Sequence, residues 1–199
     1  ALTSDPALAP PPAEVVVGFE QGVPVSIDGE ELSLADLIVR MNRLAGAYGI
    51  GRIDMIENRA VGIKSREVYE APGAIALITA HQALEDVVLT KDEARLKAGL
   101  AQRWTELVYE GRWFSPAREA IDAFVDSTQR LVTGEVRLAL RPSVAVVTGR
   151  RSPHMLYAAD LASYGTGETF PHDAAEGFIR ISSLETELHA ARERAKSRA

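Results

Sequence analysis

The sequence contains no cysteine. That excludes disulfide frameworks, thiolate metal sites, Fe–S clusters and a cysteine nucleophile, and it fits a cytoplasmic address. Long apolar runs are missing too: none approaches the roughly 20 residues of a bilayer-spanning helix, so no membrane role is expected. There is no excess of positive charge either. Lys plus Arg number 22 against 28 for Asp plus Glu, a net charge of −6, which is not the footprint of a nucleic-acid binder. The segment Ala1 to Pro6 has neither a basic nor an apolar region, so no signal peptide is read. Since the chain opens on Ala1 rather than Met, either that residue was removed or the chain begins inside a longer one. His81, His154, His172 and His189 stand far apart, so no metal site is expected. The sequence has no G-x-S-x-G elbow, Walker loop or G-x-G-x-x-G fingerprint. Gly165-Thr166-Gly167 is too short for a phosphate loop and reads as a turn.

What is present is ordinary globular composition, 46% hydrophobic and 25% charged over 199 residues, enough for one sizeable core. Residues 1–13, with Pro10-Pro11-Pro12 in series, read as an extended arm or linker. Residues 14–172 read as the main domain and 173–199 as a C-terminal oligomerisation helix. Val15 to Phe19 and Val23 to Ile27 read as an antiparallel hairpin, and Asp28-Gly29 as a tight turn. Ser33 caps a helix that Gly49 and Gly51 end. Pro72-Gly73 starts a second helix. Thr90 to Glu93 forms a capping box for a third, and Ser115-Pro116 opens a fourth. Trp104 and Trp113, in apolar helical settings, are expected in the core. Two strands follow, Val136 to Leu140 and Val144 to Val147, and Ser152-Pro153 suggests another helix start. Phe178, Ile181, Leu184 and Leu188 then step by three or four, a helical stripe running into a charged tail. The fold class is α+β, with a mixed or antiparallel sheet, a group of helices and a projecting C-terminal helix.

The stretch from Arg52 to Tyr69 is the least ordinary. Ile53, Met55, Val61, Ile63 and Val68 look like strand residues, but Arg52, Asp54, Glu57, Asn58, Arg59, Lys64, Ser65 and Arg66 crowd between them. Such groups either pair with one another or meet a polar ligand, because burying them unpaired is costly. A carboxylate, a phenol and several guanidinium groups suit a zwitterionic amino acid. An internal ion-pair network ordering a sheet or an interface fits the same residues.

The run Gly51-Arg52-Ile53-Asp54-Met55-Ile56-Glu57-Asn58-Arg59, continuing through Gly62-Ile63-Lys64-Ser65-Arg66 to Tyr69-Glu70-Ala71-Pro72-Gly73, resembles the argininosuccinate synthase family. Ala80-His81, Glu106-Leu107-Val108-Tyr109, Trp113-Phe114-Ser115-Pro116, Thr133-Gly134, Gly149 to Pro153, Leu156-Tyr157 and Gly177-Phe178-Ile179 extend the likeness over nearly the whole chain. The family's glycine- and serine-rich pyrophosphate loop, S-G-G-x-D-[ST]-S, does not occur here, so the resemblance is to the C-terminal half. It implies an AMP-forming ligase of arginine biosynthesis and the urea cycle. Citrulline attacks ATP to give citrullyl-AMP, and aspartate then displaces AMP. It also implies that Glu57 and Tyr69 contact citrulline and that Arg52, Asp54, Asn58, Arg59, Lys64 and Arg66 support them, with no catalytic residue on this chain. ATP and Mg²⁺ would be held by an N-terminal nucleotide-binding half, without which this chain is expected to be inactive. The family's homotetramer would use the C-terminal helix. The alternative is a non-catalytic self-association module with no ligand binding of its own.

Overall fold

The computed structural model describes residues 1–158 and 172–196, and Gly165-Thr166-Gly167 lies outside them. Two compact units divide the chain, Ala1–Leu156 and Tyr157–Ala199.

In the first unit, strands β1 (Ala13–Glu20), β2 (Val23–Ile27), β3 (Glu30–Glu31), β6 (Gly134–Arg141) and β7 (Val144–Arg151) form a sheet in the order β3-β2-β1-β6-β7. Every pairing is antiparallel. Gln21-Gly22 and Asp28-Gly29 turn the hairpins with positive φ at each residue, the backbone that matches strand twist in two-residue loops. Period-two alternation sends Val15, Val17, Phe19, Val136, Leu138 and Leu140 inward. They meet Leu37 and Met41 of α1 (Leu34–Gly46) and Ala76, Ala80 and Leu84 of α2 (Pro72–Val88) in one core. The resulting α+β class agrees with the sequence reading.

The helix starts follow their caps. Ser33 accepts from the Asp36 amide, Thr90 and Glu93 form the capping box of α3 (Lys91–Tyr109), and Ser115 accepts from the Arg118 amide at the start of α4 (Pro116–Gln129). Helix α1 ends at Gly46, before Gly49 and Gly51, which instead take positive φ in the turn beyond it. No helix starts at Ser152-Pro153 among the described residues. There the Ser152 hydroxyl donates to the Thr133 carbonyl at 2.7 Å and accepts from the His154 amide at 3.1 Å, which closes a turn.

Trp104 and Trp113 do not enter the core. Trp104 is half-buried and donates to Asp122 at 2.7 Å, while Trp113 is exposed at the α3–α4 bend with Arg118 4.5 Å above its ring. The reason is the amphipathic pattern of α3, which buries only Leu107. A buried polar cluster joins α2, α3 and α4: Gln129 donates to Glu85 at 2.6 Å, Lys97 pairs with Glu85 at 3.2 Å, and His81 meets Gln129 at 2.9 Å.

Residues 1–12 belong to the first unit and pack on its α1 end. Thr3 is buried, the Ser4 amide bonds the Gly46 carbonyl at 2.8 Å, and the Tyr48 hydroxyl bonds the Pro11 carbonyl at 2.8 Å. Gly46 is needed there, because a Cβ would lie 2.2 Å from the Leu2 carbonyl oxygen.

In the second unit, α5 (His172–Lys196) is one helix. It leaves Phe178, Ile181, Leu184 and Leu188 exposed.

Candidate functional site

Strands β4 (Arg52–Asn58) and β5 (Lys64–Glu70) make a separate antiparallel hairpin. Its turn holds Val61 and Ile63, which therefore do not belong to the strands, with Gly62 at positive φ. The root is tightly set. Gly51 has φ +85 and would place a Cβ 2.5 Å from the Pro72 Cα, so only glycine fits. Ala71 donates its amide to the Gly51 carbonyl at 2.9 Å, and Asn42 Oδ1 accepts from the Gly73 amide at 2.8 Å. Asn42 thus caps α2 from α1, since Ala71 has no side chain to do so.

The register pairs Arg52 with Glu70, Met55 with Glu67, Glu57 with Ser65 and Asn58 with Lys64. Alternation then sorts the crowded side chains onto two faces. One face carries Arg52, Asp54, Asn58, Lys64, Arg66 and Glu70. Its charges pair locally: Arg66 donates to both Asp54 oxygens at 2.8 and 2.5 Å, and Lys64 donates to Asn58 at 2.8 Å. The Arg66 hydrogen bond lowers the Asp54 pKa below the usual carboxylate range. At the root, Glu70 accepts from the Thr3 hydroxyl and from the Leu2 amide, and Arg52 bonds the Thr3 hydroxyl at 2.9 Å.

The other face carries Glu57, Ser65, Glu67 and Tyr69. The Tyr69 hydroxyl donates to Glu57 Oε1. Arg59, just past β4, bonds Glu67 at 3.1 Å and approaches Glu57 to 4.0 Å, and its pKa is raised first by the Tyr109 hydroxyl at the end of α3 and next by Glu67. Glu57 is the most enclosed of these charged groups, its side chain 14% exposed against 47% for Arg59 and 35% for Glu67. Hydrogen bonding to Glu57 raises the Tyr69 pKa and keeps the phenol protonated. The Ser65 hydroxyl is shut off from solvent without a hydrogen-bond partner, a state that costs about 1–3 kcal/mol unless something relieves it.

The structure thus brings Glu57, Tyr69 and Arg59 together and places Arg52, Asp54, Asn58, Lys64 and Arg66 on the opposite face. Sequence reasoning missed Tyr109, whose approach to Arg59 is tertiary, and gave Ser65 no role, since a serine between two cations carries no signal of its own. A recess of about 520 Å³, lined by Arg59, Ala60, Val61, Ile63 and Tyr109, adjoins this face. A larger one of about 610 Å³ at the end of the main sheet includes Glu135 and Arg151, already paired at 3.1 Å, and none of the hairpin residues.

Chemically, the inner face offers a carboxylate held in one orientation by a phenol, a shape that receives an ammonium or another N–H donor. Among the described residues no group of three or more His, Asp or Glu is placed to hold a metal ion. No helix among them is long and apolar enough to cross a membrane.

A model of the family described as the arginosuccinate synthase C-terminal domain matches residues 1–189. That match spans both the main sheet and the β4–β5 hairpin and points to a ligase family of arginine biosynthesis: the chain belongs to the argininosuccinate synthase C-terminal domain family.

Proposed function

We propose that this chain is the citrulline-contacting and self-associating part of a cytoplasmic argininosuccinate synthase, the AMP-forming ligase that joins citrulline to aspartate. The observation that carries the reading is the meeting of Glu57 and Tyr69. Twelve positions apart in sequence, they share a hydrogen bond on one face of the hairpin. Glu57 supplies negative charge to the amino-acid ligand. Tyr69, kept protonated by that carboxylate, fixes its orientation and leaves its own oxygen free to accept. Orientation of this kind is what ligation chemistry asks of residues that bind without reacting. ATP and Mg²⁺ belong to a separate nucleotide-binding half, and the chain alone turns nothing over.

The test uses the full-length enzyme. Glu57→Gln keeps the size and removes the charge, so the citrulline KM rises about tenfold or more, the scale of a charge-assisted hydrogen bond, and the ATP KM stays nearly unchanged. Equal losses for both substrates would make Glu57 structural and defeat the reading.

A second reading, a self-association module that binds no ligand, is favoured by one observation, the exposed apolar stripe of α5. An oligomer of the chain alone, together with unchanged citrulline KM in the Glu57→Gln enzyme, would select it.

A further inference from the structure

We propose that Thr3 is a positioning residue for the amino-acid site: its hydroxyl locks the root of the β4–β5 hairpin, so that docking of the first residues and ligand binding on the hairpin are coupled. The proposal rests on the reading of the hairpin as the citrulline site and adds a control point that touches no ligand.

The hairpin carries little that fixes its direction. No residue of β4 or β5 is fully buried, so the core does not orient it. Apart from the approach of Tyr109 to Arg59, the side-chain hydrogen bonds that leave the hairpin among the described residues run from Arg52 and Glu70 to Leu2 and Thr3. Arg52 and Glu70 are the pair that opens the ladder. They stand 3.8 Å apart, too far for a direct hydrogen bond. The Thr3 hydroxyl closes that gap, accepting from Arg52 at 2.9 Å and donating its proton to Glu70 Oε1. Glu70 Oε2 takes the Leu2 amide at 2.6 Å, so both carboxylate oxygens are held by the first residues. Thr3 is buried, and a bridge between a cation and an anion is stronger there than in water.

The same segment is seated on α1. Gly46 and Gly49 floor the channel in which it lies: a Cβ at Gly49 would meet Pro6 Cγ at 2.6 Å and the Ser4 carbonyl oxygen at 2.9 Å. A segment anchored on α1 at one side and gripping the hairpin at the other sets the angle between them. Glu70 directly follows Tyr69, and Arg52 directly precedes Ile53, the partner of Tyr69 across the ladder. Holding Arg52 and Glu70 therefore fixes the backbone that carries Tyr69 and, through its hydrogen bond, the orientation of Glu57. Coupling of this kind is reciprocal. A segment that steadies the site is itself steadied when the site fills.

Citrulline KM, ATP KM, kcat and thermal midpoint are to be measured on the full-length enzyme carrying Thr3→Val, Thr3→Ser and Glu57→Gln, together with hydrogen exchange at the Ser4 amide with and without citrulline. Thr3→Val keeps the shape and removes the hydroxyl, so citrulline KM should rise about fivefold, the lower end of coupling between sites, while kcat and the ATP KM hold. Thr3→Ser keeps the hydroxyl and should recover most of the loss. Saturating citrulline should raise Ser4 protection several-fold in the unaltered enzyme, and by less in Thr3→Val, where the link is cut. An unaltered citrulline KM in Thr3→Val beside a weakened Glu57→Gln overturns the role of Thr3 and leaves the hairpin reading standing. Unaltered KM in both variants overturns the hairpin reading itself, and the proposal falls with it. Parallel loss of citrulline and ATP affinity with a lowered midpoint makes Thr3 merely structural. A Thr3→Ser enzyme as weak as Thr3→Val places the effect in the packing of the methyl group, and Ser4 protection that ignores citrulline removes the coupling. Each of these results defeats the proposal.

Discussion

Tyr69 donates to a carboxylate, so ionising it would set two negative charges against each other. Its pKa is accordingly raised above the ordinary 10.0, with the Glu57 hydrogen bond the largest cause and burial next. The sign follows: a raised folded value means the interaction stabilises the protein fully below the ordinary pKa and is lost as pH rises through the raised one. An alkaline titration of tyrosinate absorbance should therefore show one step above the ordinary range. That step should disappear in Tyr69→Phe and move back toward 10.0 in Glu57→Gln. A Tyr69 that titrates at the ordinary value in the unaltered protein would mean the two side chains do not meet in solution.

At the scale of elements, the hairpin is held at its root. Its tip, with Val61 80% exposed, has little else against it. The root also takes in the chain's first residues through Glu70, whose pKa is lowered chiefly by the Thr3 hydroxyl and then by the Leu2 amide. Because the folded value lies below the ordinary 4.5, this contribution is complete above that value and is lost as pH falls through the lowered one. Hydrogen exchange at the Ser4 amide, which bonds the Gly46 carbonyl, is the readout. Its protection factor should fall in Glu70→Gln at neutral pH, and in the unaltered chain only once the medium is acid enough to protonate Glu70. Protection that ignores both changes would show that the segment is held by Tyr48 and the glycine contacts alone.

For the whole molecule, α5 is the element through which assembly is proposed. Phe178, Ile181 and Leu188 are each more than 70% exposed, and Leu184 is 54% exposed, an apolar stripe that a surface helix ordinarily buries against a partner. The expected outcome is a homotetramer by light scattering. Ile181→Asp with Leu188→Asp should lower the mass while circular dichroism stays helical, since neither change breaks the helix. A chain that is monomeric before any substitution would remove α5 from the assembly and leave its stripe unexplained.

Much of the fold was legible because it is written in short-range terms. Ser33, the Thr90–Glu93 box and Ser115-Pro116 mark helix starts through contacts within one turn, and Asp28-Gly29 marks a hairpin by its backbone preference. The same logic misled at Ser152-Pro153, where the hydroxyl was taken by the Thr133 carbonyl from another part of the chain, and at Trp104 and Trp113, where Trp104 turns to Asp122 of α4 and Trp113 stands exposed in the bend between the two helices. The candidate site was legible as a density of charge between Arg52 and Tyr69. Which side chains share a face was not, because that depends on the β4–β5 register, and shifting a ladder by one residue exchanges its faces. The sequence by itself determined the α+β class, the family and the stretch where charged and polar side chains crowd, since composition, local spacing and motif are properties of the chain. Only the tertiary structure decided that Glu57, Tyr69, Arg59 and Ser65 stand together while Asp54, Lys64 and Arg66 turn away, because pairing across a hairpin and the approach of Tyr109 are set by packing between distant segments.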